Sequence, residues 1–280
     1  MKTTAKITKI INNFEDSIQL LRDEPVDAEG EIQKIQELID HFRSIRKPFL
    51  ENLESSASSL RENGRRLRGG LRIEFFKSWS LPQSSKEILH GIIQSYVNWE
   101  FPCLEVFPGE GQTLPVMVGA EPLYVADWDD SIINIVSQQF NEFYSTKRLM
   151  KYVIKGYDLS DLPQDSFGFV CCLNWLRFEN NAGLNKLARS VLGCLMPGGT
   201  FLFTFNPNDK AFGVLNMEEG YAAGADSQQL AKDMTEMGFE VVDVRTDTTV
   251  CYMLVKKPGT IRTIKHSSIL GKVIDKSSEI

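Results

Sequence analysis

An acid and two glycines follow one apolar segment, and a second acid ends the next apolar segment. In CLEVFPGEG, residues 103–111, Glu105 lies in the apolar run, and Gly109 and Gly111 follow in the loop. The run PLYVAD ends at Asp127. Glycine lets a backbone approach a ligand closely, and an acid about 20 residues downstream can accept hydrogen bonds from ribose hydroxyls. The pattern predicts a nucleoside site; the alternative is an ordinary strand-to-helix turn whose acids cap the following helices.

Strands and helices alternate between about residue 84 and residue 256. This alternation predicts an α/β fold with a doubly wound, mostly parallel sheet. The last two strands follow each other without a helix, so we expect an antiparallel hairpin at one edge. TLPVMVG is predicted to be helical with Pro115 in its first turn, and Pro197, Gly198 and Gly199 are predicted to form a turn. The predicted strands are CLEVF, PLYVAD, KYVIKGYD, SFGFVCCLN, GTFLFTFN, EVVDVRTD and TVCYMLVKK.

The first part of the chain has a different, helical pattern. Apolar residues recur at steps of three and four in two stretches, which predicts amphipathic helices, the second kinked or ended at Pro48. These helices either pack on the following domain or self-associate as a helical bundle or coiled coil. We therefore divide the chain into a helical extension and possible oligomerisation region (residues 1–79), an α/β domain (residues 80–257) and a tail (residues 258–280).

Composition and charge exclude several classes of protein. The net charge of −6 provides no general basic field for nucleic acid. A local cluster is either a solvated turn or a phosphate contact: Arg65, Arg66, Arg68 and Arg72. No apolar run is long enough to span a bilayer, and the first residues do not resemble a signal peptide. The five cysteines contain no C-x-x-C pair, so we expect free thiols, no metal site and a reducing, cytoplasmic compartment.

Residues 84–256 resemble the class I S-adenosylmethionine-dependent methyltransferases. LEVFPGEG is similar to the first motif of the family, with Phe107 in place of the first glycine. LYVADWDDSIINIV resembles the second strand and its helix, and GYDLSDLPQDSFGFVCCLNWLRF the third and fourth motifs. LARSVLGCLMPGGTFLFTF and MGFEVVDV resemble the late helix and the fifth and sixth strands.

The resemblance implies a Rossmann-like fold that binds S-adenosylmethionine and releases S-adenosylhomocysteine. It places Asp127 on the ribose, Trp128 beside the adenine, and Asp158 on the adenine amino group with Leu159 next to it. The methyl group would move by in-line displacement, which requires positioning and no metal or nucleophilic triad. The residues that would bind the cofactor are Glu105, Phe107, Gly109, Gly111, Asp127, Trp128, Asp158, Leu159 and Asn174.

The methyl acceptor is less clearly indicated. The position where base-amino methyltransferases carry a Pro-Pro motif reads LNWLRF, which favours a small-molecule or protein acceptor over DNA. Asn174, Arg177 and Asn206 are the candidates for the acceptor side. Two functions stay open: an active methyltransferase, or a catalytically silent methyltransferase-like fold that serves as a structural or assembly module. The motifs favour the first function, whereas the helical front, Phe107 and the lack of a clear acceptor constellation keep the second open as the alternative.

Overall fold

The computed structural model describes residues 3–23, 28–66, 81–97, 99–173 and 175–261. Asn174, Arg68, Arg72 and the tail beyond residue 261 lie outside these ranges. The helices are α1 (Thr3–Asp23), α2 (Glu29–Arg66), α3 (Gln83–Tyr96), α4 (Asp130–Phe143), α5 (Asn181–Cys194), α6 (Ala211–Glu218) and α7 (Ser227–Glu236). Two short 3-10 helices span Leu114–Met117 and Trp175–Phe178. The strands are β1 (Cys103–Val106), β2 (Leu123–Asp127), β3 (Leu149–Val153), β4 (Phe167–Cys172), β5 (Leu195–Thr204), β6 (Glu240–Thr246) and β7 (Cys251–Lys256).

The seven strands form one sheet in the order β3-β2-β1-β4-β5-β7-β6. β1 to β5 pair in parallel, whereas β7 is antiparallel to both β5 and β6. The predicted doubly wound sheet with an antiparallel edge hairpin is therefore confirmed. Because β1 and β4 are central neighbours, the carboxyl ends of β1, β2 and β4 meet at one edge of the sheet.

Helices cover both faces of this sheet, and their apolar sides form two cores. Every residue of β1, β2 and β4 is buried, as expected of strands that have helices on both faces. One core contains Leu187 and Val191 of α5 and Leu230 of α7. The other contains Leu89 and Ile93 of α3 and residues of α4. These cores hold the strand ends, and hence any site above them, in fixed positions.

The connection from β1 to β2 contains very little helix. Residues 107–122 are all described, and their helical part is the single 3-10 turn Leu114–Met117. The predicted helix thus forms only one turn, with Pro115 near its start as expected. Leu114 and Met117 pack with Leu89 and Ile93 of α3 in one core. The loop with Gly109 and Gly111 consequently leads into a 3-10 turn and not into the N-terminus of a long helix.

The predicted turn at Pro197 to Gly199 is wrong, and of the two alternatives predicted at Pro48 the end of the helix is excluded. Residues Pro197 to Gly199 lie inside β5, where the pairing with β4 shifts register, and do not form a turn between elements. Gly198 has φ +84° and donates a backbone hydrogen bond of 2.9 Å to Lys257, so glycine allows a bulge that keeps the strand continuous. Pro48 does not end α2, which runs unbroken from Glu29 to Arg66.

The helices α1 and α2 form a hairpin that packs against the α/β domain. Ile11, Ile18 and Ile39 are buried between the two helices. The backbone N–H of Ala5 donates to Glu218 Oε1 at 3.1 Å, which links the start of α1 to α6. This is the packing arrangement foreseen for the extension, and self-association stays a prediction. Within the described ranges, no helix is both long and apolar enough to cross a membrane.

Candidate functional site

The first site residue, Glu105, is enclosed in the core at the end of β1. Its side chain is completely buried, and among the described residues neither carboxylate oxygen has a hydrogen-bond partner of good geometry. Burial raises the pKa of Glu105 to about 8, and the nearby Thr113 hydroxyl opposes this rise. Burial also raises the pKa of the Cys171 thiol, and the charge of the nearby Glu105 raises it further. At neutral pH the Glu105 carboxyl is therefore mostly protonated.

Phe107 occupies the position of the first motif glycine and keeps the backbone conformation that favours glycine. Its φ is +55°, in the left-handed region, and its ring is completely buried. The ring centroid lies 4.4 Å from that of Trp128, 5.8 Å from that of Tyr157 and 6.2 Å from that of Trp175. We call these four residues the aromatic cluster. It lies over the carboxyl ends of β1, β2 and β4.

Hydrogen bonds hold the aromatic cluster together. Trp128 and Trp175 meet edge to face with centroids 4.7 Å apart, and Trp175 is completely buried. Trp175 Nε1 donates to the Tyr157 hydroxyl at 2.9 Å, and that hydroxyl donates to the carboxylate of Glu179. Glu179 is itself buried. The cluster is thus a packed and hydrogen-bonded part of the core that also contains Leu159.

The two glycines of the loop serve its own geometry. Gly109 has φ +58° and Gly111 has φ +72°, so both use the left-handed backbone region. A β-carbon at Gly111 would lie 2.7 Å from Val136 Cγ1, because α4 passes close to the loop. Gly111 is therefore required by helix packing whether or not a ligand is present.

The predicted ribose and adenine acids bind backbone groups. Asp127 is completely buried, and its Oδ1 accepts a hydrogen bond of 2.9 Å from the N–H of Asp129, which itself caps α4. Asp158 is exposed and accepts a hydrogen bond of 2.9 Å from the N–H of Ser160. The backbone and side-chain hydrogen bonds of Ser160 lower the pKa of Asp158. Both acids therefore have local structural roles, of the kind that an ordinary turn would give them.

Large side chains occupy the space in which this fold would hold S-adenosylmethionine. The crevice where its adenosine would lie contains the side chains of Phe107, Trp128 and Trp175, two of them completely buried. Asp127 is completely buried as well. Only the buried Glu105 carboxyl, which would suit a cationic group, is in favour of the cofactor. With the aromatic cluster in this position, the residues do not fit the cofactor.

An open cavity of about 600 Å³ lies on the predicted acceptor side, beyond the end of β5. Arg177, Asn206 and Tyr221 line it, and Asn174 lies outside the described residues. Asn206 is buried: its Nδ2 donates to the carbonyls of Gly213 and Ala223 at 2.9 and 2.8 Å. Asn206 therefore anchors the loops around the cavity. Burial lowers the pKa of the Arg177 guanidinium.

The sequence did not single out two residues of the site, Tyr157 and Glu179, and it did not indicate that Trp175 is completely buried. A usable signal was present, because a bulky Phe107 in place of a glycine must displace something or be packed by large neighbours. Aromatic residues directly after β2 and β4 supply those neighbours. Within the described part of the chain, no group of histidine, cysteine and acidic side chains could hold a metal ion, and all five cysteines are free thiols.

Comparisons with known proteins bear on the fold. No protein-family model and no curated protein matches the sequence. Among solved structures, the chain is similar to a magnesium protoporphyrin IX methyltransferase from Synechocystis PCC 6803 with bound S-adenosylhomocysteine, with TM-score 0.50, 14% identity, and coverage of 62% of this chain and 86% of that one. It is similar to a putative methyltransferase from Bacillus halodurans C-125, with TM-score 0.50, 12% identity and coverage of 60% and 98%. It is also similar to the [4+2]-cyclase SpnF, with TM-score 0.51, 13% identity and coverage of 65% and 84%.

At these identities the comparisons speak to architecture and not to activity. They agree with the seven-stranded, mostly parallel sheet of this chain. The chain has the class I S-adenosylmethionine-dependent methyltransferase fold.

Proposed function

We propose that this chain uses the methyltransferase fold as a catalytically silent structural or assembly module. The observation that carries the proposal is the aromatic cluster, in which Phe107 and Trp175 fill the cofactor crevice and are completely buried. The 3-10 turn after β1 adds support, because a long helix there would direct its positive N-terminal end at an anionic group of a ligand. The similarity to a protein described as a cyclase is consistent with a fold that is not limited to methyl transfer.

The cost of opening the crevice decides between a silent and an active protein. Exposing two buried aromatic side chains costs about 3–6 kcal/mol together. Because each 1.4 kcal/mol corresponds to about a tenfold change in affinity, this cost would weaken cofactor binding by about a hundredfold to ten-thousandfold. A micromolar site would become a site of about 0.1 mM or weaker.

The second candidate is an active methyltransferase that transfers a methyl group in line to a small molecule or a protein. Glu105 favours it, because a buried carboxyl without a geometrically good partner among the described residues would gain from a ligand cation above it. The cavity beside Arg177 and Tyr221 is large enough for a small acceptor. This function requires Phe107 and Trp175 to leave the crevice when S-adenosylmethionine binds, whereupon the sulfonium supplies the methyl group.

Calorimetric titration of the full chain with S-adenosylmethionine and S-adenosylhomocysteine separates the two candidates. We expect no saturable binding up to about 0.1 mM with the native sequence, and at least about tenfold tighter binding for Phe107→Gly, because glycine removes the ring and suits the positive φ. Phe143→Gly, which removes an exposed ring on α4, is the matched control and should not gain affinity. Micromolar binding by the native protein would overturn the proposal.

An exposed apolar stripe on α2 supports the assembly part of the proposal. Leu38, Ile45 and Phe49 are each about 40% exposed and lie seven and four residues apart, on one side of the helix. Such spacing is typical of a helix that pairs with another helix. Sedimentation velocity should show self-association that Leu38→Glu and Phe49→Glu abolish, while Phe143→Glu leaves it unchanged. A monomer at all concentrations would refute pairing between copies through this stripe.

A further inference from the structure

A second cavity, of about 480 Å³, lies between the N-terminal hairpin and the α/β domain. Its walls come from α1, α2, the loop before α6 and the first turns of α7. It does not include any residue of the aromatic cluster, so it is separate from the cofactor crevice. Its charged residues are Glu15, Arg43, Arg46, Asp209, Asp226 and Lys232.

Arg46 is the unusual member of this cavity. It is only 9% exposed, and its Nε–H has no hydrogen-bond partner among the residues that the structure describes. Its Nη1 donates a long hydrogen bond of 3.4 Å to Thr8 Oγ1, and no carboxylate among the described residues lies within 4.0 Å of it. Burial lowers the pKa of Arg46, and Arg43 adds to this, against the opposing effect of Asp209 and Asp226. An arginine stays charged nonetheless, and an unpaired buried charge is costly.

The neighbouring acids are mostly engaged elsewhere. Glu15 accepts a hydrogen bond of 2.7 Å from Arg43, and Asp209 accepts from the backbone N–H and hydroxyl of Ser227 at 3.0 and 2.7 Å. Asp226 Oδ1 accepts the N–H of Gln229 at 2.8 Å as the cap of α7, whereas its Oδ2 has no partner within the described part of the chain. The cavity therefore presents an unpaired cation at Arg46 and a half-used carboxylate at Asp226.

The total charge of the cavity limits what can occupy it. Among the described residues, three cationic and three acidic side chains line it, so their formal net charge is zero. A phosphate or a simple carboxylate would neutralise Arg46 and leave the cavity with a net negative charge beside Asp209 and Asp226. A ligand that carries its own cation avoids this cost, because each of its charges meets the opposite charge of the protein.

We propose that this cavity binds a small zwitterion of the α-amino acid type. Its carboxylate accepts hydrogen bonds from Arg46, including the Nε–H, and its ammonium group donates to Asp226 Oδ2. Within the described part of the lining, Ile11 supplies the only apolar side chain, so a short or polar side chain fits better than a large apolar one. The ligand would bridge α2 and α7 and thereby fasten the hairpin to the domain. The proposal is independent of the cofactor crevice.

Titration calorimetry with glycine and L-serine on the full chain tests the proposal. We expect saturable binding of both, at least about tenfold tighter than that of acetate, phosphate or methylamine, each of which lacks one of the two charges. Arg46→Met keeps the aliphatic stem and should weaken the binding of L-serine by at least about tenfold. Lys34→Met, which removes an exposed lysine on α2, should leave it unchanged.

Hydrogen exchange provides a second readout that does not depend on activity. L-serine should slow amide exchange in α1 and the first turn of α7 in the native protein, but not in Arg46→Met. The proposal is overturned if L-serine gives no saturable heat, if Arg46→Met binds it as well as the native protein, or if acetate or phosphate binds equally well. In the first of these cases water alone occupies the cavity; in the last the site is a simple anion site.

Discussion

Replacing Glu105 by glutamine should change how the stability of the protein depends on pH. Burial raises the pKa of Glu105 from 4.5 to about 8. A carboxyl whose pKa is higher in the folded than in the unfolded state stabilises the fold fully below pH 4.5, and this contribution is lost as pH rises towards 8. At about 1.36 kcal/mol per tenfold change in the ionisation constant, the whole loss is about 5 kcal/mol.

Between pH 6 and pH 8.5 this single group should lower the free energy of unfolding by about 2–3 kcal/mol. Urea unfolding followed by tryptophan fluorescence, with the thiols kept reduced, measures that energy in the native protein and in Glu105→Gln. We expect the stability of the variant relative to the native protein to rise by about 2–3 kcal/mol over this range. Glu142→Gln, at an exposed position on α4, is the control and should show no such trend.

The reasoning fails if the difference between Glu105→Gln and the native protein stays constant within about 0.5 kcal/mol from pH 6 to pH 8.5. Groups that titrate in both proteins, such as the histidines and the terminal amine, cancel in this difference. A flat result would mean that the Glu105 carboxyl has a neutralising partner or reaches water in solution. In that case the buried acid would no longer favour a ligand cation above β1.

Two further predictions concern the hairpin and the packing of α6. Asn12 Nδ2 donates to the carbonyl of Asp209 at 2.8 Å, and its Oδ1 accepts from the N–H of Ala211 at 3.1 Å. Asn12→Ala should therefore lower the free energy of unfolding in urea by about 1–3 kcal/mol. Asn13 is exposed, and Asn13→Ala should change that energy little. A β-carbon at Gly213 would lie 1.8 Å from the backbone oxygen of Pro207, so Gly213→Ala should lower the melting temperature strongly. Gly91 lies in open space on α3, so Gly91→Ala should add about 0.5–1 kcal/mol to the free energy of unfolding and raise the melting temperature. Equal effects of the two substitutions would contradict the packing around Gly213.

The architecture could be predicted because local patterns and strand connectivity agree. Seven strands and the antiparallel edge follow from alternating segments and from the lack of a helix between the last two strands, whereas the order of the strands across the sheet is known from the structure alone. The turn predicted at Pro197 to Gly199 and the helix end that was one alternative at Pro48 are absent because local propensity gave way to context. In α2, packing on α1 and the domain compensates for the one backbone hydrogen bond that Pro48 cannot make. In β5, pairing with β4 and β7 on either side tolerates a bulge at Pro197 to Gly199.

The sequence predicted where the site lies, but not whether its crevice is open or filled by side chains. The acids and glycines lie at the ends of β1 and β2 as expected, yet the Asp127 carboxylate accepts a backbone N–H and the backbone of Gly111 lies close against α4. Whether a crevice is open depends on contacts between residues far apart in sequence, here Phe107 with Tyr157 and Trp175. No local pattern reports such contacts. The role of Asn174 stays a prediction, since it lies outside the described residues.

The docking of α1 on α6 has a consequence for the order of events on the ribosome. The partners Ala5 and Glu218 are separated by 213 positions, so α1 leaves the ribosome long before its binding surface exists. At about 5–20 residues per second, this delay is about 10–40 s. The pairing of α1 with α2 through Ile11, Ile18 and Ile39 needs no later residue and hides these side chains in the meantime. The hairpin can therefore form first, and its attachment to α6 becomes one of the last steps in building the native protein.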